Sequence, residues 1–152
     1  MNIICYAFLN SEVELEAPFL NYLESYKSPT IETTRETTRQ KSKRIKQISN
    51  IYTHIKYLKD HKGSYHLPPK IESYKGRQSI GIIKISEDKR LIRIAFCTIN
   101  HEIILLNVID KPKRYEKALK KKIDQSIQEF LDRAESCRED YLNNQLKIEL
   151  TF

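Results

Sequence analysis

The sequence predicts an α+β domain, a small and mostly antiparallel sheet with helices packed on one face. Three observations predict it. A short apolar run opens the chain. Three apolar runs joined by tight turns follow one another between Ile80 and Ile109. Two long stretches carry apolar residues at steps of three and four. With 152 residues, the span 1–152 fits a single domain with one core.

The elements follow in order. "NIICYAFL" (Asn2 to Leu9) reads as a strand bounded by Asn10 and Ser11. "SEVELEAPFLNYLES" reads as a short helix capped by Ser11, with Glu14 at capping-box spacing and Pro18 as a kink or break within it. "YKSPTIETT" is a loop. A long helix is predicted over 35–61, with Ile45, Ile48, Tyr52, Ile55 and Leu58 or Lys59 as its stripe. "DHKGSYHLPPKIESYKGRQS" is a loop punctuated by Gly63, Pro68, Pro69 and Gly76. Strands are predicted over Ile80–Ile85, Leu91–Cys97 and Ile103–Ile109, turning at Ser86–Asp88 and at Ile99–His101. On the middle strand Ile92, Ile94 and Phe96 share one face, and Leu91, Arg93, Ala95 and Cys97 share the other. A last helix is predicted over 112–142, with Pro112 in its first turn and a stripe of Tyr115, Leu119, Ile123, Ile127 or Phe130, Leu131 and Ala134. "QLKIELTF" reads as a final edge strand, and one face of the sheet should stay partly open.

Composition bounds the chemistry. The net charge is +7, with 31% charged residues. That balance suits a polyanionic partner, whether nucleic acid, an acidic protein or a membrane surface, and it equally serves solubility. The longest apolar stretch, within Ile103 to Ile109, is too short to span a bilayer. The apolar start lacks a basic flank and runs into Glu12, Glu14 and Glu16, so it makes a poor signal peptide. Cys5, Cys97 and Cys137 are isolated and read as buried thiols of a cytoplasmic protein. The three glycines are too scattered for a phosphate-binding loop, and no HExxH, paired-carboxylate or Cys/His spacing appears. No metal, no cofactor and no membrane partner are expected.

What stands out is a cationic constellation. Lys84 and Arg93 fall on adjacent strands, and Lys111, Lys113, Arg114 and Tyr115 fall where the third strand hands over to the helix. Lys117, Lys120, Lys121 and Lys122 continue the run. The first half of the long helix is also basic, with Arg39, Lys43 and Arg44 among its cations. A sheet with an arginine on its open face and a basic rim suits RNA: cations neutralise phosphates, and Arg planes or Tyr rings stack on bases.

The pattern "IGIIKISEDKRLIRIAFCTINHEIILLNVIDKPKRYEKALKKKI" resembles the toxins of RelE/HigB-like bacterial toxin–antitoxin pairs, and "NIICYAFLNSEVELEAPFLNYLES" looks like their opening strand and first helix. The likeness rests on the order and spacing of aliphatic strands and cations, and it covers most of the chain. It implies a RelE-like fold and a cytoplasmic, metal-independent endoribonuclease that cuts translated mRNA, usually on the ribosome, and is neutralised by a cognate antitoxin protein. In the implied reaction a ribose 2′-OH attacks the adjacent phosphorus and the 5′-oxygen leaves. Arg93 matches the arginine of the family's middle strand and would stabilise the phosphate. Lys84 stands where many members carry arginine, and Lys111 and Lys113 stand near their paired lysines. Lys84 and Lys111 would assist, and Tyr115 or His101 would transfer a proton. Lys113, Arg114, Lys117, Arg39, Lys43 and Arg44 would bind RNA. Two departures stand out: Lys84 cannot fork to a phosphate as arginine does, and Pro112 interrupts the lysine pair.

Each residue also has a plainer reading. Arg93 can pair with a carboxylate on a neighbouring strand or cover the sheet with its stem. Lys84, Lys111 and Lys113 can be solvated edge residues. Tyr115 can begin the core stripe of the helix, and His101 can be a solvated turn residue. The role of His66, in the Pro-rich loop, is open. Two further classes of function accordingly stand beside the enzyme: a non-catalytic RNA-binding module of the same fold, and a basic protein-interaction module.

Overall fold

The computed structural model describes residues 2–27, 38–61, 71–74, 77–87 and 89–151. In chain order the elements are β1 (Asn2–Tyr6), β2 (Phe8–Leu9), β3 (Leu15–Glu16), α1 (Pro18–Lys27), α2 (Thr38–Asp60), β4 (Ile71–Tyr74), β5 (Arg77–Glu87), β6 (Arg90–Ile99), β7 (Glu102–Pro112), α3 (Lys117–Asn144) and β8 (Lys147–Leu150). Six strands form one sheet in the order β4-β5-β6-β7-β1-β8, and β2 with β3 forms a separate small hairpin. Among the described residues only the β1–β7 pairing is parallel. The class is α+β with a mostly antiparallel sheet, as predicted.

The helices divide between the two faces instead of sharing one. Ile92, Ile94 and Phe96 of β6 pack with Ile3, Cys5, Ile83 and Ile85 beneath Phe19 and Leu23 of α1 and Ile51, Ile55 and Leu58 of α2. On the other face Ala95 and Cys97 pack with Ile4, Ile82, Ile104 and Leu106 beneath Phe130, Leu131, Ala134 and Tyr141 of α3. The physical reason is that β6 and its neighbours are apolar on both sides over their central residues. A sheet that is apolar on both faces needs a layer on each.

Several local expectations shift. The first helix begins at Pro18 and not at Ser11, because proline lacks the N–H that only a first-turn position can spare. The residues before it turn back on themselves. Asn10 Oδ1 accepts the N–H groups of Glu12 and Glu14, both at 2.9 Å, and closes the β2–β3 hairpin. Val13 at its tip has φ of 60° and is 74% exposed. A β-branched residue is strained there. Val13→Asn is expected to raise stability by about 1 kcal/mol, seen as a higher urea midpoint with an unchanged slope.

In α2 the buried stripe is Ile51, Ile55 and Leu58, with Tyr52 packed beside it, whereas Ile45 is 55% exposed. The predicted start of this helix at 35, the loop over 26–34 beyond Lys27 and the loop with His66 lie outside the described residues. Residues 71–74 and 77–79, read as loop, are strand instead. Polar edge strands carry little apolar alternation to reveal them. The turn between β6 and β7 is a two-residue one, Asn100 and His101, both at positive φ (50° and 62°), the combination that matches the twist of a hairpin.

Pro112 closes β7, opposite Arg90, and does not open the helix. The helix α3 starts five residues later, after Glu116, with no side-chain cap. It ends at Gln145, left-handed at φ 53°, whose N–H donates to Tyr141 O at 2.7 Å. The final edge strand is present as β8, and it pairs with β1. All three cysteines are free thiols. Burial pushes Cys5 and Cys97 up to about 12 and Cys137 up to about 11, so none is a thiolate at neutral pH.

Candidate nucleic-acid interface

The register of β5, β6 and β7 decides which side chains meet. Directly opposed residues share a face. One row on the α3 side is Ile82, Ala95 and Asn107, and it is buried. The next row is Lys84, Arg93 and Ile109, and the one after is Ser86, Leu91 and Lys111. The α3 layer therefore buries the sheet fully up to Ala95, and beyond it Ile109 still packs partly against that layer while Lys84, Arg93 and Lys111 are half-buried. Arg93 is half-buried at the centre of this end. Among the described residues it forms no hydrogen bond or ion pair, and its direct neighbours are a lysine and an isoleucine. Lys84 makes an interaction of its own. Facing cations on adjacent strands, about 5 Å apart at Cα, destabilise a sheet unless something anionic joins them.

The carboxylate that could have neutralised Arg93 is turned to the other face. Asp110 pairs with Arg90 and accepts the Tyr22 hydroxyl of α1 at 3.1 Å. A bulge sends it there. Ala95 pairs with Asn107 but Phe96 pairs with Leu105, so Leu106 is an extra residue in β7. Without it, Asp110 and not Lys111 would stand opposite Leu91, on the face of Arg93.

Around the sheet end lies a cavity of about 550 Å³ lined, among the described residues, by Lys89, Pro112, Lys113 and Arg114. It is held by the Lys113 N–H, which donates to Lys89 O at 2.9 Å across the hairpin. Lys89 is a cation that the sequence reading missed. The signal was present: counting the hairpin register outward from its apolar pairs puts Lys89 opposite Lys113. If these cations contact phosphates, replacing Lys89, Lys113 and Arg114 together with alanine should weaken single-stranded RNA binding irrespective of sequence. The slope of log affinity against log salt should fall by about 2.

The other predicted residues fall in three places. Tyr115 lies in the connection between β7 and α3 and is 40% exposed, and Leu119 is 47% exposed, so neither joins the core stripe. That stripe starts later, at Ile127 and Phe130. Lys117 and Lys120 to Lys122 are exposed in the first two turns of α3, which has no acidic residue in its first turn to offset them. Arg39, Lys43 and Arg44 lie in the first half of α2, and α2 packs on the opposite face of the sheet. They form a second basic surface, separate from Arg93. His101 stands at the far end of β6, seven residues from the level of Arg93, or about 23 Å along the strand. The two cannot serve one reacting phosphate.

Among the described residues no group of three or more His, Cys, Asp or Glu is placed to hold a metal ion, and no helix is long and apolar enough to cross a membrane. Fold and site together define an α+β protein whose central sheet ends, on one face, in a cluster of cations. No protein-family model matches the chain, and neither a curated protein nor a solved structure matches it.

Proposed function

We propose that the chain is the toxin component of a RelE/HigB-like toxin–antitoxin pair, an endoribonuclease that cleaves translated mRNA without a metal. The observation that carries the reading is Arg93: a half-buried arginine on a central strand, faced by Lys84, with the nearby carboxylate Asp110 turned away. A guanidinium held without a carboxylate partner is a ready binding group for a phosphate. A scissile phosphate seated against Arg93 would gain negative charge as the 2′-oxygen attacks, and Arg93 with Lys111 would stabilise that charge. The 2′-OH proton leaves as the bond to phosphorus forms, and the departing 5′-oxygen takes one up. Tyr115 is the candidate for proton transfer, and the substrate would have to bring it close. The cavity of Lys89, Lys113 and Arg114 would hold the strand beyond the cut. In this reading the chain works in the cytoplasm beside the ribosome, and a cognate antitoxin keeps it silent.

Induced expression in a bacterium tests the reading. Growth arrest, with new 5′ ends inside a reporter mRNA, is the expected result. Soluble, folded protein that neither arrests growth nor cuts the reporter would overturn the catalytic reading.

One observation favours a second reading. Of the proposed proton-transfer groups, only Tyr115, in the connection between β7 and α3, is on the right end of the sheet, and His101 is about 23 Å away. A non-catalytic module that grips RNA through the same cations fits that thin acid–base inventory. It would bind RNA with steep salt dependence and leave it intact.

A further inference from the structure

We infer that the groove between β7 and α3 is a base-reading site, which takes a guanine from an RNA strand whose phosphate lies on Arg93 and Lys111. The inference rests on RNA binding by those cations, whether or not the chain cuts RNA.

The groove begins where the cations end. A cavity of about 220 Å³ is lined in part by Ile109 and Lys111. Ile109 stands directly opposite Arg93, and Lys111 is itself one of the cations. The cavity runs inward to Asn107, two residues from Ile109 along β7, or about 7 Å. There it meets a second cavity of about 440 Å³, with which it shares Asn107, Val108 and Arg133. A nucleotide spans a similar distance from its phosphate to its base. With a phosphate held by Arg93 and Lys111, the base falls into the groove.

Charge sorts the two halves of the nucleotide. The groove walls carry Glu129 and Asp140, which repel a phosphate and admit a neutral base. Asp140 is already engaged, because its carboxylate accepts the Tyr6 hydroxyl and Asn144 Nδ2, both at 2.6 Å. Glu129 is exposed on α3 and makes no hydrogen bond or ion pair among the described residues. A carboxylate offers two acceptors side by side. Of the four RNA bases only guanine answers with two adjacent donors, N1–H and N2–H, on its Watson–Crick edge. Adenine and cytosine would turn a ring acceptor toward one of the oxygens, and uracil flanks its single donor with two carbonyls. Arg133, one turn further along α3, lines both cavities and supplies a guanidinium plane to cover the base.

The floor adds a further acceptor. Asn107 is 8% exposed, and its Nδ2 donates to Phe130 O at 3.1 Å, but its Oδ1 has no partner among the described residues. Leaving a buried acceptor unpaired is costly. This oxygen is sealed from water, so only an occupant that settles against the floor can satisfy it. The second hydrogen on guanine N2 is the donor that does so.

Short oligouridines carrying one central guanine, adenine, cytosine or no substitution are the probes. Fluorescence anisotropy with the full-length chain, at one salt concentration, is the measurement. The guanine RNA is expected to bind about tenfold tighter than the other three. Inosine in its place lacks the 2-amino group and should lose most of that preference. Glu129→Gln should bring the preference below about twofold, because an amide offers one acceptor and one donor where guanine needs two acceptors. Equal affinity for all four RNAs would overturn the base site and leave phosphate binding standing. A guanine preference that survives Glu129→Gln, or inosine that binds like guanine, would place base reading elsewhere and overturn it as well. No binding of any of the four would remove the RNA reading and the base site together.

Discussion

Arg93→Ala is expected to slow RNA cleavage by about 10²–10³-fold, the usual cost of losing one group that stabilises charge in a transition state. Binding should suffer far less, because Lys89, Lys111, Lys113 and Arg114 remain to hold the phosphates. Arg93→Lys should fall between the two, since lysine keeps the charge but not the planar fork. Stability should move by no more than about 0.5 kcal/mol, because Arg93 is half-buried, has no partner among the described residues and faces Lys84. The measurement is single-turnover cleavage of a labelled RNA, with affinity taken from the same titration. Equal losses of cleavage and binding in Arg93→Ala would make Arg93 a gripping residue only. Wild-type levels of both would remove it from the site.

Phe96→Ala should cost about 3–5 kcal/mol of folding stability. Phe96 is 0% exposed and sits beside the β7 bulge, among the buried residues under α1 and α2. Truncation would leave a cavity between layers that no neighbour can fill without moving a helix. Leu119→Ala is the contrast. Its side chain is 47% exposed on α3, and the change should fall within about 0.5 kcal/mol although spacing alone makes it a core position. Urea unfolding of both variants is the check. A cost below 1 kcal/mol for Phe96→Ala would mean that α1 and α2 do not pack on the sheet as described.

Much of this architecture is legible in residue order. Period-two alternation set Ile92, Ile94 and Phe96 against Ala95 and Cys97, and the two groups do lie in separate cores. Tight turns between apolar runs made β5, β6 and β7 neighbours. The sequence reading put the helices on one face, but the 103–106 run is apolar at every position and needs cover on both, and periodicity cannot say on which face each helix settles. The helix boundaries slipped for local reasons. A proline marks a helix start as readily as a break, as at Pro18, and it can equally end a strand, as at Pro112.

The candidate site divides the same way. Its residue types, a lone arginine in an aliphatic strand and a basic run after the next one, follow from local sequence, because charge and alternation are local properties. Their meeting does not. Alternation without interruption would put Asp110 on the face of Arg93, as a simple ion pair. One extra residue, Leu106, shifts the register so that Lys111 takes that place and Asp110 turns to Arg90 and Tyr22. A bulge of this kind depends on how β7 satisfies β6 on one side and β1 on the other, a balance of hydrogen bonds between strands far apart in the chain. Composition and periodicity therefore specify a two-faced sheet with cations at one end. Strand pairing across the whole sheet decides that Arg93 stands there without a carboxylate beside it.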